Sequence, residues 1–203
     1  MNHCRSVLVS ISACLLLLGC EAKLDRPDFD PQWSSSKALE QCDANSDGQI
    51  DPSEAAAAPG LLMAFDQWDT NGDKLISGDE FGERIAKYKA SAGSVASAGF
   101  TVTYKKKPLP GAEVILDPEP FMGEGFAPAK GTTDRRGYVS LNRPDMGDGG
   151  YPGVYLGLYR VRISKQEGGK ELLAEKYNTA SELGFDSGGQ TREARTSPRF
   201  DLE

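Results

Sequence analysis

Two twelve-residue stretches of the chain repeat one spacing of oxygen-bearing residues, and that spacing suits the binding of a hard metal cation. They occupy residues 43–54 and 69–80. Side-chain oxygens recur at positions 1, 3, 5, 9 and 12 of each stretch, and position 7 can add its backbone carbonyl. A hard cation takes about six to eight oxygen ligands, so one loop that turns back on itself can supply them. The predicted ligands are Asp43, Asn45, Asp47, Gln49, Asp51 and Glu54 in the first loop, and Asp69, Asn71, Asp73, Leu75, Ser77 and Glu80 in the second.

The spacing of these ligands resembles the calcium loop of EF-hand proteins, and the resemblance implies two Ca2+ sites. Gly48 stands at position 6 of the first loop, where a positive φ is tolerated because glycine has no Cβ. In the second loop Lys74 stands at that position and Ser77 replaces a carboxylate, so this loop is expected to bind more weakly. The alternative is an acidic, turn-rich linker, since Asp, Asn and Gly favour turns. The recurrence of the loop in register favours a metal-binding pair.

The residues around the two loops predict short helices and a short strand in each loop. Asp51 and Glu54 have the spacing of a capping box, as do Ser77 and Glu80, so the end of each loop should begin a helix. Ile50 and Ile76 hold position 8, where paired loops of this kind join through a short strand. The segments expected to be helical, each short enough to need packing for stability, are 34–42, 55–58 and 61–68.

The N-terminus has the pattern of an export signal. Arg5 precedes an almost wholly apolar run, 6–18, which is too short to span a bilayer as a stable helix. The sequence Leu-Leu-Gly-Cys at 17–20 resembles the lipobox of bacterial lipoproteins, which implies removal of residues 1–19 and lipid attachment at Cys20. The alternatives are an uncleaved signal anchor and a secretory peptide cut elsewhere. The expected location is the cell envelope, lipid-anchored and exported, in the periplasm or on the outer surface.

Removal of the signal changes the inventory of reactive side chains. Cys4 and Cys14 would leave with it, and Cys20 would carry lipid, so Cys42 would remain without a disulfide partner in the chain. We interpret Cys42 as a small buried hydrophobe in preference to a redox residue. The one histidine, His3, would also be removed. No Ser–His pair, thiolate–imidazole pair or glycine-rich phosphate loop is found, and the protein is expected not to be an enzyme.

Negative charge is concentrated in the first half of the predicted mature chain. Residues 21–89 contain 15 acidic and 7 basic residues, a net charge of −8, whereas residues 90–203 contain 15 of each. A nucleic-acid partner would require a basic face, so this class of partner is not expected. Because the excess acid coincides with the two loops, it indicates cation binding and not general solubility.

The chain is predicted to be α+β in separate domains, with a small α-helical EF-hand pair followed by an all-β Greek-key sandwich. A tether at 20–33 would lead to the EF-hand pair at 34–90, because Pro27 and Pro31 discourage a helix there. A small-residue linker at 91–99 would lead to the sandwich at 100–203. The strands expected in it, marked by β-branched and aromatic residues between turn signals, are 100–104, 112–116, 138–141, 154–164 and 200–202.

The C-terminal half resembles the transthyretin-like, or carboxypeptidase-regulatory-like, β-sandwich. The resemblance lies in the segments 107–114, 131–138 and 157–164, and 170–183 is similar to a run in bacterial lipoproteins that carry this domain. It implies a seven- or eight-stranded module for support or interaction. Some transthyretin relatives are hydrolases that require histidines and a C-terminal Tyr-Arg-Gly-Ser run. This chain ends Arg-Phe-Asp-Leu-Glu at 199–203, so that activity is not expected.

The function expected from these patterns is that of a lipid-anchored calcium-binding protein of the cell envelope, with a structural or adhesive role in which calcium stiffens the anchor-proximal module. One alternative is a carbohydrate- or peptidoglycan-binding module, for which four tyrosines (Tyr151, Tyr155, Tyr159 and Tyr177) could form a sugar-stacking face, although core filling is the preferred interpretation. Another is a dockerin-like docking module, although dockerin loops usually end in Asp and these end in Glu. An envelope protein or a glycan is a possible partner, and the oligomeric state is left open.

Overall fold

The computed structural model describes residues 27–91, 95–144, 153–189 and 198–203, and these form a mixed α+β structure. The predicted signal peptide, Cys20 and the first part of the predicted tether lie outside the described residues. Within the described ranges, no helix combines the length and the apolar character needed to cross a membrane. The α-helices are α1 (Pro31–Cys42), α2 (Pro59–Trp68) and α3 (Gly78–Ala90).

The strands are short and most of them lie in the second half of the chain. Two of them belong to the twelve-residue loops, β1 (Gln49–Ile50) and β2 (Ile76–Ser77). The others are β3 (Val95–Ala96), β4 (Ala98–Tyr104), β5 (Lys107–Pro108), β6 (Glu113–Pro118), β7 (Ala129–Thr132), β8 (Tyr138–Leu141), β9 (Val154–Tyr155), β10 (Leu158–Ser164), β11 (Gln166–Glu167), β12 (Lys170–Glu171), β13 (Leu183–Asp186) and β14 (Arg199–Leu202).

Helix α1 begins earlier than the sequence predicted. Asp30 caps it, because its side-chain oxygen accepts hydrogen bonds from the N–H groups of Gln32 and Trp33 at 3.1 and 3.0 Å. Pro31 occupies the first helical position, where its missing N–H removes no hydrogen bond. The expectation that Pro31 would keep the 20–33 tether extended is therefore wrong from Pro31 onward. Phe29 is buried as well, so the chain is already packed on the body before the helix starts.

The segment between the loops forms two short helices as predicted, but both begin earlier than predicted. A 3₁₀ helix (Glu54–Ala57) follows the first loop, and α2 begins at Pro59, two residues before the predicted start at 61. Proline again occupies the first turn, where it is compatible with a helix. Leu61, Phe65 and Trp68 on α2 are buried.

The strand half consists of two main groups of strands around one apolar core. The first is a four-stranded antiparallel sheet in the order β13-β10-β6-β7. In the second, β4 pairs antiparallel with β5 and β8 and parallel with β14. The residues they enclose, all fully or almost fully buried, include Phe100, Val114, Leu141, Val161 and Phe200. Strand β3 and the start of β4 lie within the predicted linker 91–99, which is therefore not a plain linker.

The helical half and the strand half share a second apolar core. Phe121 and Met122, which follow β6, and Leu158 of β10 are buried together with the apolar faces of all three helices. The ring of Phe121 packs edge-on against that of Phe81 on α3, with centroids 5.2 Å apart. The core of the helices is therefore not closed by the predicted helical unit alone, because residues from the strand half complete it.

Backbone contact fixes helix α2 on the sheet. A Cβ placed on Gly60 would lie 2.8 Å from the backbone nitrogen of Tyr159, and one on Gly184 would lie 1.9 Å from the carbonyl oxygen of Pro59. Only glycine allows backbones to approach so closely. Helix α2, which connects the two loops, therefore lies directly on β10 and β13.

Candidate metal centre

The first acid of each twelve-residue loop holds the turn at position 6. Asp43 accepts a hydrogen bond from the N–H of Gly48 at 2.9 Å, and Asp69 accepts one from the N–H of Lys74, also at 2.9 Å. Gly48 has a φ of 83° and Lys74 a φ of 67°. Lys74 thus adopts the left-handed conformation that glycine provides in the first loop, at a cost of about 1–2 kcal/mol for a residue with a Cβ. The positive φ expected at position 6 is therefore present at Lys74 as well.

Positions 3 and 5 also repeat between the loops. The Oδ1 atom of Asn45 accepts from the N–H of Asp47 at 2.8 Å, and that of Asn71 accepts from the N–H of Asp73 at 2.8 Å. Each position-5 carboxylate in turn accepts from the N–H two residues on, at 2.9 Å. These Asx turns orient several side-chain oxygens along one loop. A carboxylate has about four lone-pair sites, so an oxygen that holds a turn can also face a cation.

Glu54, at position 12, closes the first loop by reaching back to its beginning. Its Oε1 atom accepts from the N–H groups of Ala44 and Asn45 at 3.0 and 3.1 Å. Its Oε2 atom accepts from the N–H of Asp51 at 3.0 Å, and Asp51 accepts in return from the N–H of Glu54 at 2.9 Å. This exchange has the hydrogen bonds of the predicted capping box, but the 3₁₀ helix that follows begins only at Glu54, and its N-cap residue, Ser53, makes no side-chain capping bond.

Glu80 closes the second loop in the same way and is the more buried of the two. Its Oε1 atom accepts from the backbone and hydroxyl of Thr70, both at 3.0 Å, and from the N–H of Asn71 at 3.2 Å. Its Oε2 atom accepts from the backbone of Ser77 at 3.0 Å, and this capping box begins α3 as predicted. Burial acts to raise the pKa of Glu80, but the hydrogen bonds from Ser77 and Thr70 outweigh it and lower the pKa to about 2.

A two-residue antiparallel ladder joins the loops. Strand β1 pairs with β2 so that Ile50 lies opposite Ile76 and Gln49 lies opposite Ser77. Both isoleucines are buried, at 1% and 0% exposure. The predicted pairing at position 8 is therefore confirmed. It brings position 7 of one loop beside position 9 of the other.

The residues present fit a hard divalent cation better than a soft metal. All twelve predicted ligand positions offer oxygen, from carboxylates, amides, a hydroxyl or the backbone, and hard cations prefer such donors. No group of three or more His, Cys, Asp or Glu side chains lies in a metal-holding arrangement within the described part of the chain. The loop acids there accept hydrogen bonds from the backbone of their own loops.

The chain matches no family model, no curated protein and no solved structure at a significant level. The resemblances to EF-hand loops, to transthyretin-like sandwiches and to bacterial lipoproteins therefore depend on the residues that carry them.

Two buried acids that the sequence analysis did not single out connect the halves of the molecule. Glu119 accepts a hydrogen bond from the N–H of Gly60, at the start of α2, at 3.0 Å. Asp186, on β13, accepts from the hydroxyl of Tyr88 at 2.9 Å, and Arg84 lies 3.6 Å from its other oxygen. Burial raises the pKa of both acids above the usual range, against the opposing hydrogen bonds from Gly60 and Gly188. A single acidic residue produces no periodic pattern, so the sequence did not reveal either acid in this way. For Glu119, a local signal is the neighbouring apolar pair Phe-Met at 121–122.

The other residues that the sequence singled out for possible chemistry are buried where the structure describes them. Cys42 is buried, and burial together with the nearby carboxylates of Glu119 and Glu54 raises the pKa of its thiol to about 11. It fits the preferred interpretation of a small hydrophobe. Tyr155, Tyr159 and Tyr177 are buried at 2%, 1% and 7% exposure and contribute to the core, whereas Tyr151 lies outside the described residues. These three tyrosines do not form an exposed sugar-stacking face.

Proposed function

We propose that the protein binds Ca2+ through the loops 43–54 and 69–80, and that binding stabilises the chain that connects a membrane anchor to a β-sandwich. The observation that carries this proposal is the repeated hydrogen-bond pattern of the two loops. In both, the position-1 acid holds the position-6 turn and the position-12 glutamate folds back onto the third residue of the loop. Two loops of different sequence would not share this pattern by turn propensity alone.

The geometry supports unequal sites. The first loop has glycine at its left-handed turn and four acids among its predicted ligands, Asp43, Asp47, Asp51 and Glu54. The second loop has a lysine at the turn, and its predicted ligands include one acid fewer. Affinity for calcium rises with the number of charged ligands. The first site should therefore be tighter, within a range of about 10⁻⁵ to 10⁻³ M that is typical of extracellular modules.

The proposed role is structural, and the shared core changes how calcium would act. Without a cation, the loop acids repel one another, and the short helices depend on packing to persist. Because Phe121, Met122 and Leu158 pack into the same core as the helices, stabilisation of the loops would extend to the strand half. Calcium would then stiffen a continuous body and not only a spacer beside the anchor. The stiffening predicted for the anchor-proximal module would then extend to the strand half.

We also propose the finer architecture that the sequence predicted. Helix α1 with the 3₁₀ helix at 54–57, and α2 with α3, would each form a helix–loop–helix unit of an EF-hand pair. The two groups of strands around the core of the strand half support a transthyretin-like Greek-key sandwich. Lipid attachment at Cys20 would place this body in the cell envelope. Detergent partitioning tests the lipid attachment, because Cys20→Ser should move the protein to the aqueous phase.

Calorimetric titration of the mature chain with calcium tests the metal sites. Glu54→Gln should remove the tighter binding event and Glu80→Gln the weaker one, because each variant removes the ligand that can bind bidentately. Glu83→Gln is the matched control, since Glu83 lies on the same helix as Glu80 and is exposed. The proposal fails if the wild type gives no calcium heat, or if Glu83→Gln abolishes binding as fully as the loop variants do.

A further inference from the structure

The chain is packed on the body of the protein from Pro27 onward. Pro27 is buried, and Phe29 is only 3% exposed. The ring of Phe29 packs against those of Tyr88 and Phe126, with centroid distances of 6.2 and 5.3 Å. The connection to an anchor can therefore extend no further along the chain than residue 26, and not to residue 33 as predicted.

This early attachment limits the distance between the body and a membrane. Pro27 is the seventh residue after Cys20, and an extended chain spans at most about 3.6 Å per residue, or roughly 25 Å in all. A flexible chain of that length has an end-to-end distance of about 15 Å. A folded chain of this size is about 40 Å across. The surface around Pro27 would consequently stay closer to the lipid headgroups than the opposite side of the molecule.

A group of exposed residues surrounds this point. Trp33 is 40% exposed, and its ring lies 3.5 Å from where a Cβ of Gly123 would stand. The same position on Gly123 is 3.8 Å from the carbonyl oxygen of Asp28. The side chain of Asp28 is 3.9 Å from the ammonium of Lys89, and both side chains are exposed. We call the surface formed by Asp28, Trp33, Lys89 and the half-buried Gly123, beside the buried Pro27, the anchor face.

We propose that the anchor face lies against the membrane surface and that Trp33 enters the headgroup region. This inference rests on the proposed lipid attachment at Cys20. A tryptophan ring combines a large apolar area with one N–H donor, and it is favoured at the boundary between hydrocarbon and water. The ammonium of Lys89 can meet lipid phosphates, which favour cations near the surface. The contact would set the orientation of the protein as well as its distance from the membrane.

Fluorescence quenching on lipid vesicles tests this orientation. The chain contains two tryptophans, and Trp68 is fully buried, so only Trp33 can approach lipid. The acylated full-length mature protein is bound to phosphatidylcholine–phosphatidylglycerol vesicles whose acyl chains carry bromine near the headgroup. In the wild type, the bromine atoms should quench the emission of Trp33, and the emission maximum should shift to shorter wavelength. In Trp33→Phe, no emission should be lost. In a Trp33→Phe background, Tyr138→Trp is the matched control, because Tyr138 on β8 has the same exposure of 40% and should not be quenched.

The outcomes separate this inference from the anchor on which it rests. Mass spectrometry shows whether Cys20 carries lipid, and flotation shows whether the protein binds the vesicles. An unmodified Cys20 would overturn both the anchor and the anchor face. An acylated protein that floats with vesicles but keeps its full Trp33 emission, or one in which the tryptophan at 138 is quenched equally, would overturn the anchor face alone.

Discussion

The contact between α2 and the sheet predicts a large effect from a single added methyl group. Gly184→Ala would place a Cβ 1.9 Å from the carbonyl oxygen of Pro59 and 2.8 Å from the nitrogen of Gly60, and both are backbone atoms. Ordinary contact begins at 3.4 Å, so the start of α2 would have to retreat by roughly 1.5 Å. Overpacking of this kind costs about 1–3 kcal/mol of unfolding free energy. In a chain of this size the melting temperature should fall by roughly 2–12 °C.

The assay combines thermal unfolding with hydrogen exchange in the metal-free and calcium-bound protein. Gly82→Ala is the control, because the nearest atom to a Cβ there is the carbonyl oxygen of Pro31 at 3.7 Å. Within α3 that change removes the helix penalty of glycine and should stabilise the protein by up to about 1 kcal/mol. In Gly184→Ala, protection of β10 and of α2 should fall together. An unfolding free energy within 0.5 kcal/mol of wild type, or loss of protection in α2 alone, would refute the shared core.

Further predictions concern the buried acid, the strained turn and the thiol. The raised pKa of Glu119 means that its stabilising contribution is complete below the usual carboxyl pKa and is lost as pH rises through the raised value. Glu119→Gln removes the ionisable group but keeps an acceptor for the N–H of Gly60. It should therefore raise the melting temperature of the metal-free protein at pH 8 and change it little at pH 4.5. An equal rise in melting temperature at the two pH values would contradict this. Lys74→Gly should relieve about 1 kcal/mol of left-handed strain and strengthen calcium binding at the second loop roughly fivefold by calorimetry, and an unchanged affinity would show that the strain does not limit binding. With a pKa of about 11, Cys42 should resist maleimide at pH 7.5 in the folded state and react on unfolding; rapid labelling of the native protein would contradict its burial.

Local rules in the sequence were sufficient for the loops and their immediate surroundings. The capping box of Ser77 and Glu80 and the pairing of Ile50 with Ile76 depend on residues within a few positions of each loop, and both are confirmed. The left-handed turn at Lys74 follows for the same reason. Cation binding itself stays a prediction, since it depends on how these oxygens respond to an ion.

The errors arose where distant parts of the chain meet. Pro31 predicts an extended tether and α2 is predicted to start two residues after Pro59, but proline is tolerated in the first turn of a helix and both helices begin at these prolines. The contact between the two halves depends on Gly60, Gly184 and Glu119. The two glycines allow a close approach of backbone from the other half, and Glu119 accepts a hydrogen bond from the N–H of Gly60. None of these belongs to a periodic pattern, so a composition-based boundary near residue 90 separated elements that share one core.

The ladder between β1 and β2 would make the two proposed metal sites dependent on one another. It places Gln49, which can offer its carbonyl to the first ion, opposite Ser77, a predicted ligand of the second. When one loop becomes ordered, the ladder also fixes part of the backbone of the other loop. The entropic cost of ordering that shared segment is therefore incurred only once. Filling of the tighter site should raise the affinity of the weaker one, and by reciprocity the weaker should raise the tighter by the same factor. Occupancy would then rise more steeply with free calcium than two independent sites allow, so the protein would change between loose and rigid states over a narrow range of concentration.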